Sequence, residues 1–298
     1  MSEEAEAIPS CCASCGKAEI DEVKLKKCDG CFLVKYCGIE CQKAHRKQHK
    51  RECKKRAAEL RDELLFTQPE STHLGDCPIC CLPLPLDISK SNLNNCCSKL
   101  ICKGCIRANF KREMEMKLVL KCPFCRKALP ATDEEGFQQN LRRAEANDPV
   151  AMLQEGGKQF KTGDHQNAAE YFTKAAALGN AEAHYKLARM YRLGQGVEKD
   201  WRKQIHHMEE AAIGGHPNAR YYLGAHEYFD GNVERAMKHW IISATQGDDD
   251  SIKALMIAFK EEYVSKDDLA ATLRAHQAAV DDMKSPQREA AERIRGED

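Results

Sequence analysis

The small and apolar residues of the second half of the chain recur at helical spacing. A motif of a small residue, a glycine, a second small residue and a leucine occurs three times: Ala176, Gly179, Ala183 and Leu187; Ala212, Gly215, Ala219 and Leu223; Ala244, Gly247, Ser251 and Leu255. A weaker copy begins at Ala144, so the second small residue recurs at positions 151, 183, 219 and 251. Small residues let helices approach closely, and glycine ends one helix before the next begins. The pattern predicts stacked helix pairs over residues 148–265.

Helical composition extends beyond these repeats. We expect a helical connector over residues 131–147, and a C-terminal cap helix and tail over 266–298 with a break at Ser285-Pro286. Upstream, the pattern predicts a basic helical linker over residues 54–75, belonging to a helix that runs to about Phe66. It also predicts a short helix from Glu113 to Leu120, and a disordered N-terminus over residues 1–11.

Composition narrows the function classes. The 298 residues carry a formal net charge of zero, so no global field recruits nucleic acid or a membrane. No apolar run approaches the roughly 18 residues that span a bilayer. The acidic N-terminus lacks the basic-then-apolar pattern of a secretory signal. We therefore expect protein partners, without membrane or nucleic acid, in a reducing compartment that is cytoplasmic, nuclear or both.

One stretch departs from this neutral average. Between Lys43 and Arg61 the chain carries nine lysines and arginines against only Glu52 and Glu59. The stretch is either the solvated face of a helix or a phosphate-binding surface. It lacks the interleaved aromatic residues that single-stranded nucleic acid would stack on.

Cysteine is the most informative residue type. All 17 cysteines lie within the first 125 residues. Disulfides would require an oxidising compartment, and an odd count would leave one thiol over. Pairs of the form Cys-x-x-Cys can each hold half of a tetrahedral zinc shell. Five such pairs occur: Cys12/Cys15, Cys28/Cys31, Cys77/Cys80, Cys102/Cys105 and Cys122/Cys125. The pattern predicts structural zinc, about four ions per chain, in two modules.

The first module spans residues 12–53. Its eight candidate ligands are Cys12, Cys15, Cys28, Cys31, Cys37, Cys41, His49 and Cys53. The segment from Tyr36 to His45, followed by His49-x3-Cys53, resembles the MYND zinc finger. That resemblance implies interleaved binding, with one zinc on Cys12, Cys15, Cys37 and Cys41 and the other on Cys28, Cys31, His49 and Cys53.

One detail of this module departs from the resemblance and another supports it. The family usually has a tryptophan, which supports a proline-peptide surface, where this chain has Arg46. The i, i+4 spacing of His49 and Cys53 puts both on one helical face, as a shared metal requires. The alternative for His49 is a solvated residue on a basic helix, and His45 has no matching ligand position.

The second module spans residues 76–130. Its segments Asp76–Cys80, Ile101–Cys105 and Lys121–Pro130 resemble a RING finger. The resemblance implies one zinc on Cys77, Cys80, Cys102 and Cys105. A second zinc would take Cys122 and Cys125 with two ligands from the segment 95–99.

The segment 95–99 leaves two alternatives open. Cys97 occupies the position of the third RING ligand, but Lys99 occupies that of the fourth, and a protonated lysine has no lone pair. The adjacent Cys96 is the substitute, which makes the set Cys96, Cys97, Cys122 and Cys125. Otherwise the site has three ligands or no zinc. Cys11 and Cys81 are left over, as small inert side chains or as exchangeable neighbours of a ligand.

A RING finger implies recruitment of a charged ubiquitin-conjugating enzyme, with catalysis by positioning and no nucleophile or acid–base residue of its own. Ile79 matches the docking position, Pro123 the supporting proline, and Arg126 the linchpin arginine. The alternatives are that Ile79 packs under the zinc turn and that Arg126 is an ordinary basic residue leaving the module. A docking tryptophan common in active RING fingers is absent between Cys105 and Cys122.

The repeats complete the picture. The segment from Gly179 to Asp200 resembles the Sel-one-like repeat, a relative of the tetratricopeptide repeat, which implies a concave protein-binding scaffold. Five aromatic residues either line that surface or belong to the core: Tyr185, Tyr191, Tyr221, Tyr222 and Trp240.

The expected fold is multidomain, with two small zinc-stabilised cross-brace fingers followed by an all-α helical-repeat solenoid. The expected function is a RING-type ubiquitin ligase or ligase component, with substrates bound by the repeats and the MYND finger. The alternatives are a non-catalytic adaptor and, through the MYND resemblance, a nuclear regulator.

Overall fold

A computed structural model describes residues 11–20 and 24–293 of the chain. Of the N-terminus predicted as disordered, residues 1–10 lie outside the described residues. Residues 294–298 of the predicted tail lie outside them as well. The chain divides into two compact units between Thr67 and Gln68. Among the described helices, none has the length and apolar character needed to cross a membrane.

The first unit is a small sulfur-rich core followed by a long helix. Strands β1 (Lys26–Lys27) and β2 (Lys35–Tyr36) pair antiparallel. Helix α1 spans Ile39–Leu65 and ends one residue before the predicted limit at Phe66, so the linker predicted as helical over residues 54–75 is helical only as far as Leu65. Its basic stretch is almost entirely exposed, while His49 and Leu65 are buried. The basic stretch therefore forms a mostly exposed face of α1, and phosphate binding by this face stays a prediction.

The second unit begins with the second cysteine module. A short 3-10 helix (Ile88–Lys90) leads into β3 (Ser91–Asn94), which pairs antiparallel with β4 (Lys99–Cys102). Helix α2 follows at Lys103–Glu115. The predicted helix from Glu113 to Leu120 is wrong. Lys117 has a positive φ of 52°, and the Leu118 amide donates to the Glu113 carbonyl at 2.8 Å, a turn that ends α2.

Nine further helices form the connector and the repeats. The connector α3 (Asp133–Glu145) precedes four antiparallel pairs. These are α4 (Pro149–Lys161) with α5 (His165–Ala177), α6 (Ala181–Leu193) with α7 (Trp201–Ile213), α8 (Pro217–Phe229) with α9 (Val233–Ala244), and α10 (Asp249–Lys260) with α11 (Lys266–Asp282). Each pair packs on the next, which produces the predicted solenoid.

The recurring residues of the motif have one structural role in each repeat. The second small residue is fully buried in all four copies: Ala151, Ala183, Ala219 and Ser251. The motif leucines are buried as well: Leu187, Leu223 and Leu255. The glycines end the second helix of a pair with positive φ values of 82°, 77° and 92° at Gly179, Gly215 and Gly247. Glycine adopts this conformation at little cost.

Large aromatic residues fill the space beside small ones. A Cβ added at Gly156 would lie 2.6 Å from the ring of Phe172, and one added at Gly224 would lie 2.5 Å from the indole of Trp240. Both aromatic side chains are nearly fully buried. In the first and third pairs, the two helices therefore approach closely around one large aromatic side chain.

The C-terminal tail has two separate roles. Helix α11 packs on α9 and α10 and covers the end of the solenoid, as predicted. Helix α12 (Pro286–Arg293) instead packs against α2 of the second cysteine module. The Arg288 guanidinium donates to the carbonyls of Pro83 at 2.6 Å and Leu82 at 3.1 Å. The predicted cap over residues 266–298 is thus correct for α11 only.

Candidate metal centres

Four of the Cys-x-x-Cys pairs form the same backbone turn. The amide of the residue after the second cysteine donates to the carbonyl of the first cysteine, and that residue has a positive φ. The four bonds are Gly16 to Cys12 at 2.8 Å, Phe32 to Cys28 at 2.9 Å, Cys81 to Cys77 at 2.9 Å and Arg126 to Cys122 at 3.0 Å. The turn directs both thiols to one point. The sequence alone signals it only at Gly16, the one glycine of the four.

These turns bring the candidate ligands together in four groups. Within each group the ligand atoms lie within 4.8 Å of one another. The groups are Cys12, Cys15, Cys37 and Cys41; Cys28, Cys31, His49 and Cys53; Cys77, Cys80, Cys102 and Cys105; Cys96, Cys97, Cys122 and Cys125. In each module, the two groups alternate along the chain. All sixteen ligand positions expected from the sequence lie in these groups.

The donor geometry fits tetrahedral zinc. Zinc–sulfur bonds of about 2.3 Å at tetrahedral angles place two sulfurs roughly 3.8 Å apart. The Sγ atoms of Cys28 and Cys53 are 3.7 Å apart, those of Cys80 and Cys102 are 3.9 Å apart, and those of Cys97 and Cys122 are 3.8 Å apart. These three pairs are not disulfides, since a disulfide bond is about 2.05 Å long.

The histidine of the first module is oriented as a ligand. His49 is buried, and its Nε2 lies 3.2 Å from the Sγ of Cys31. His45, which has no ligand position, stacks on His49 at 5.7 Å and contacts the Tyr36 hydroxyl through its Nδ1 at 3.1 Å. His45 therefore supports the ligand histidine and does not belong to either metal group.

The turn between β3 and β4 explains how adjacent cysteines join one group. The amides of Cys97 and Ser98 both donate to the Asn94 carbonyl, at 3.1 and 2.8 Å, and Ser98 has a φ of 52°. The tight turn directs Cys96 and Cys97 to the same group, where the Sγ of Cys96 lies 3.3 Å from that of Cys125. The Lys99 ammonium lies 5.8 Å from the centre of the Phe124 ring, outside the group.

The thiols of these groups differ in how readily they lose a proton. In the Cys77 group, a hydrogen bond with the Cys102 thiol lowers the pKa of Cys77 to about 4, against the opposing effect of burial, and backbone amides add to the lowering. Burial raises the pKa of Cys96, and hydrogen bonds with Cys125 and Cys122 raise it further. Zinc binds cysteine as the thiolate, so protons leave these thiols as the metal binds.

Two cysteines lie outside these groups. Cys81 is exposed and occupies the positive-φ position of its turn. Cys11 is partly buried and pairs with Ala18 through an isolated β-bridge. Each therefore has a backbone role in its turn, whereas neither thiol joins a metal group in the described part of the chain.

The three residues of the second module expected to contact a partner differ in their surroundings. Ile79 is 42% exposed, and Pro123 is partly buried beside Phe124, which is 43% exposed. Arg126 is held within the module. Its guanidinium donates to Asn109 Oδ1 and to Glu113 Oε1, both at 3.0 Å, and the Glu113 side chain is 1% exposed. A buried carboxylate requires such a partner.

One cluster has no counterpart in the sequence expectations. His216 Nε2 lies 2.8 Å from Glu182 Oε2, His73 Nε2 lies 3.5 Å from the same oxygen, and the two imidazoles stack at 4.0 Å. His73 lies in the segment before the second module, while the other two lie in the repeats. The long separations along the chain hide this cluster from any motif search. Only Pro217, which favours a helix start, indicates that His216 is an N-cap.

The protonation of His216 decides what this cluster does. Its Nδ1 accepts a hydrogen bond from the Ala219 amide at 3.3 Å, so the ring proton is on Nε2. That Nε2–H donates to Glu182 and leaves no lone pair for a metal. The cluster is therefore a hydrogen-bonded connection between the segment before the second module and the repeats. The His73 amide adds a bond to the Gly215 carbonyl at 2.9 Å.

Comparison with known families agrees with two of these regions. The MYND finger model matches residues 12–53, and the Sel1 repeat model matches residues 150–180, 181–216 and 217–248. Residues 12–53 are a MYND finger, and residues 150–248 are Sel1 repeats. The matched repeats begin within one residue of the starts of α4, α6 and α8. The helix pair α10–α11 continues the solenoid beyond them.

Individual proteins resemble parts of the chain. An uncharacterized protein of Neisseria meningitidis serogroup B is 31% identical over 93 residues, which cover 31% of this chain and 20% of that protein. A Sel1 repeat protein from Oxalobacter formigenes has a TM-score of 0.43 at 24% identity, over 58% of this chain and 70% of its own. A protective antigen of uropathogenic Escherichia coli with an SLR fold has a TM-score of 0.39 at 24% identity, over 56% and 37%. The chain thus spans about a fifth of the length of the curated relative.

Proposed function

We propose that the chain is a RING-type ubiquitin ligase, or a ligase component, that holds four structural zinc ions in a reducing compartment. In this proposal residues 76–130 are a RING finger that recruits a charged ubiquitin-conjugating enzyme. The Sel1 repeats and the MYND finger bind the substrate protein. The zinc-binding and protein-interaction character of the chain rests on the MYND finger and the Sel1 repeats themselves.

The observation that carries the proposal is the alternation of the two sulfur groups in the second module. The group of Cys77, Cys80, Cys102 and Cys105 alternates with the Cys96 group along the chain. The turns Cys77–Cys80 and Cys122–Cys125 each expose one large apolar side chain. These are Ile79 and Phe124. Exposed apolar residues on a rigid, metal-held turn suit docking of a partner protein, since little conformational freedom is lost on binding.

A reconstituted ubiquitination reaction tests the proposal. Purified full-length protein, incubated with activating enzyme, a panel of conjugating enzymes and ubiquitin, is expected to build ubiquitin chains. The variant Ile79→Ala should abolish chain formation while zinc content stays unchanged. Ile257→Ala, which truncates an isoleucine that is 58% exposed on the repeats, is the matched control and should remain active. Silence of the zinc-loaded wild-type protein across the panel would contradict the proposal.

One observation favours a second candidate, a non-catalytic adaptor. The linchpin role requires the Arg126 guanidinium to contact both the conjugating enzyme and ubiquitin. In this chain, Asn109 and the buried Glu113 already accept hydrogen bonds from it. Glu113 also accepts from the Lys121 amide at 3.0 Å, which ties α2 to the last zinc turn. Arg126 therefore has a structural role within the second module, and an adaptor would need that role as well.

The variant Arg126→Ala separates the two candidates. In a ligase that uses Arg126 as its linchpin, the variant keeps four zincs and still binds the conjugating enzyme but loses chain formation. In an adaptor, the wild-type protein builds no chains, and the variant changes only the stability of the second module, a loss that follows because Glu113 keeps only the more distant Arg112, at 3.9 Å. Zinc retention against a chelator and the unfolding midpoint of the second module measure that loss.

A further inference from the structure

Two neighbouring cavities lie along the first helices of the repeats. The larger, of about 580 Å³, is bordered by α4 and α6 and includes Lys158, Lys161, Lys186 and Arg189. The smaller, of about 300 Å³, is bordered by α6, α7 and α8. Arg189 lines both, so the two cavities adjoin at this side chain, and together they are named here the basic groove.

The groove is strongly cationic although the whole chain is neutral. Besides the four cations of the larger cavity, Arg192 lines the smaller one. Among the residues that line the two cavities, Glu182 is the one carboxylate. The described part of the chain supplies no ion-pair partner for Arg189 or Arg192, and both are exposed.

The single carboxylate does not neutralise the groove. Glu182 pairs with Lys186 at 2.8 Å and accepts from His216 at 2.8 Å, with His73 at 3.5 Å. Burial opposes its ionisation, but the hydrogen bonds with His216 and His73 prevail and hold the pKa of this carboxyl well below its usual range. Glu182 is therefore ionised and already paired with Lys186 and the two histidines. The arginines remain available to an anionic ligand.

The apolar part of the lining indicates a peptide ligand and not a bare anion. Leu153, Phe160 and Met190 line the larger cavity, and Tyr222, which is 43% exposed, lines the smaller one. Arg189 and Arg192 are three residues apart on α6, where side chains are roughly 5–6 Å apart at Cβ. In an extended peptide, side chains two residues apart share a face at roughly 6.5–7 Å. Carboxylates at alternate positions match this spacing.

We propose that the basic groove binds an extended acidic segment of a partner protein, with carboxylates at alternate positions on Arg189 and Arg192 and an apolar side chain beside Leu153 and Phe160. The inference deepens the proposed protein-binding role of the repeats and names its partner chemistry. Binding is electrostatic in part, so the affinity falls as ionic strength rises.

The experiment uses the full-length zinc-loaded protein and a short fluorescein-labelled peptide with glutamates at alternate positions flanked by leucines. Fluorescence anisotropy should show saturable binding. Arg189→Gln should weaken binding about tenfold, because it removes one charge-assisted hydrogen bond to a peptide carboxylate. Arg274→Gln, which removes an exposed arginine of α11 outside the groove, should leave affinity unchanged.

Three results would overturn the inference. They are equal binding of a peptide with glutamines in place of the glutamates, equal weakening by Arg274→Gln, and displacement of the peptide by inorganic phosphate at a similar concentration. The last would identify a general anion site. The assay needs no ubiquitin transfer, so a failed ligase proposal leaves it intact, and a failed groove leaves the ubiquitination assay intact.

Discussion

The cysteine modules and the repeats differ in what their cores are made of. In the first module the buried core consists of Cys12, Leu25, Cys28, Cys31 and Tyr36, and in the second it consists of Cys77, Leu84, Ile101, Cys102 and Cys105. In each module, three of the five core residues are candidate zinc ligands. The buried cores of the repeats contain alanine, leucine, methionine, phenylalanine and tryptophan, without cysteine.

The difference in core composition indicates which interaction stabilises each region. A module of about 50 residues buries too little apolar surface to offset the loss of conformational entropy, so metal binding supplies the missing free energy. The repeats bury a continuous apolar core across successive helix pairs, where each pair contacts only its neighbours. One chain therefore combines metal-dependent and metal-independent stability, and the two can be separated experimentally.

Removal of zinc should produce the largest effect. A strong chelator should unfold residues 12–126, because structural zinc contributes roughly 10–16 kcal/mol in isolated fingers at neutral pH. The amides of α5 to α10 should keep their protection, since the sixteen cysteine and histidine ligand positions all lie between Cys12 and Cys125. Hydrogen exchange with mass spectrometry, together with metal analysis that returns close to four zincs before treatment, measures both outcomes.

The Cys96 group provides the internal control for that experiment. Cys96→Ser should lower the zinc content from four to three and leave the MYND finger protected. A content unchanged at four would mean that the Cys96 thiol does not bind zinc. Equal loss of protection in the modules and the repeats after chelation would contradict the division of the chain into two kinds of core.

Truncation of a core aromatic should selectively weaken the repeats. Phe172 is 2% exposed and fills the space beside Gly156, so Phe172→Ala should cost about 3–5 kcal/mol in the free energy of unfolding. Phe229→Ala removes a ring that is 86% exposed and should change stability by less than about 0.5 kcal/mol. Denaturant unfolding followed by circular dichroism measures both. Zinc content should be the same in both variants, and loss of metal from Phe172→Ala would contradict the independence of the two cores.

Local chemistry made the ligands and the helix pairs predictable from the sequence. The repeating positions of Ala151, Ala183, Ala219 and Ser251 required burial on a helix face, and the structure buries all four. The ligand groups followed from short Cys-x-x-Cys spacing, because such a turn determines its own geometry. The predicted helix from Glu113 to Leu120 is wrong because helical composition does not reveal the turn at Lys117.

Contacts between distant segments were not predictable. Glu182, His216 and His73 each lie in an unremarkable local sequence, and only the stacking of repeats against the segment before the second module unites them. The docking of Arg288 onto the Pro83 and Leu82 carbonyls likewise depends on tertiary packing. The same holds for Arg126, whose motif position suggested a partner protein before the structure placed Glu113 beside it.

Acid should weaken the repeats through one half-buried and one fully buried histidine. Burial, with the neighbouring His184 and His206, lowers the pKa of His207 from 6.5 to about 4, and burial beside Arg220 lowers that of His239 to about 3. The unfolded chain therefore takes up protons first as the pH falls. Stability is complete above about pH 6.5 and decreases below it, by up to about 1.4 kcal/mol per pH unit for each histidine, down to the folded pKa.

The slope of stability against pH tests this prediction. Denaturant unfolding of the zinc-loaded protein between pH 7.5 and 5.5 would be followed by fluorescence of the buried Trp240, in a Trp201→Phe background that removes the exposed indole. His207→Gln should reduce the slope of stability against pH. A slope unaffected by His207→Gln would contradict the assignment.

The smallest expected effect concerns the contact between the repeats and the segment that contains His73. Gly179 and Gly215 occupy equivalent positions with φ values of 82° and 77°. A Cβ at Gly179 meets nothing within 4 Å, whereas one at Gly215 lies 2.6 Å from the Ser71 carbonyl oxygen. Alanine at either site carries the same backbone cost of about 1–2 kcal/mol, so the difference between the two variants isolates the contact.

Gly215→Ala should be about 1 kcal/mol less stable than Gly179→Ala, the net contribution of one backbone hydrogen bond. The bond concerned is that from the His73 amide to the Gly215 carbonyl, at 2.9 Å. Hydrogen exchange at the His73 amide should therefore accelerate in Gly215→Ala and stay unchanged in Gly179→Ala. Equal stability of the two variants, with equal exchange, would mean that this segment adds nothing to the repeats. Their stability would then come from helix packing alone, which would make the contrast with the metal-held modules complete.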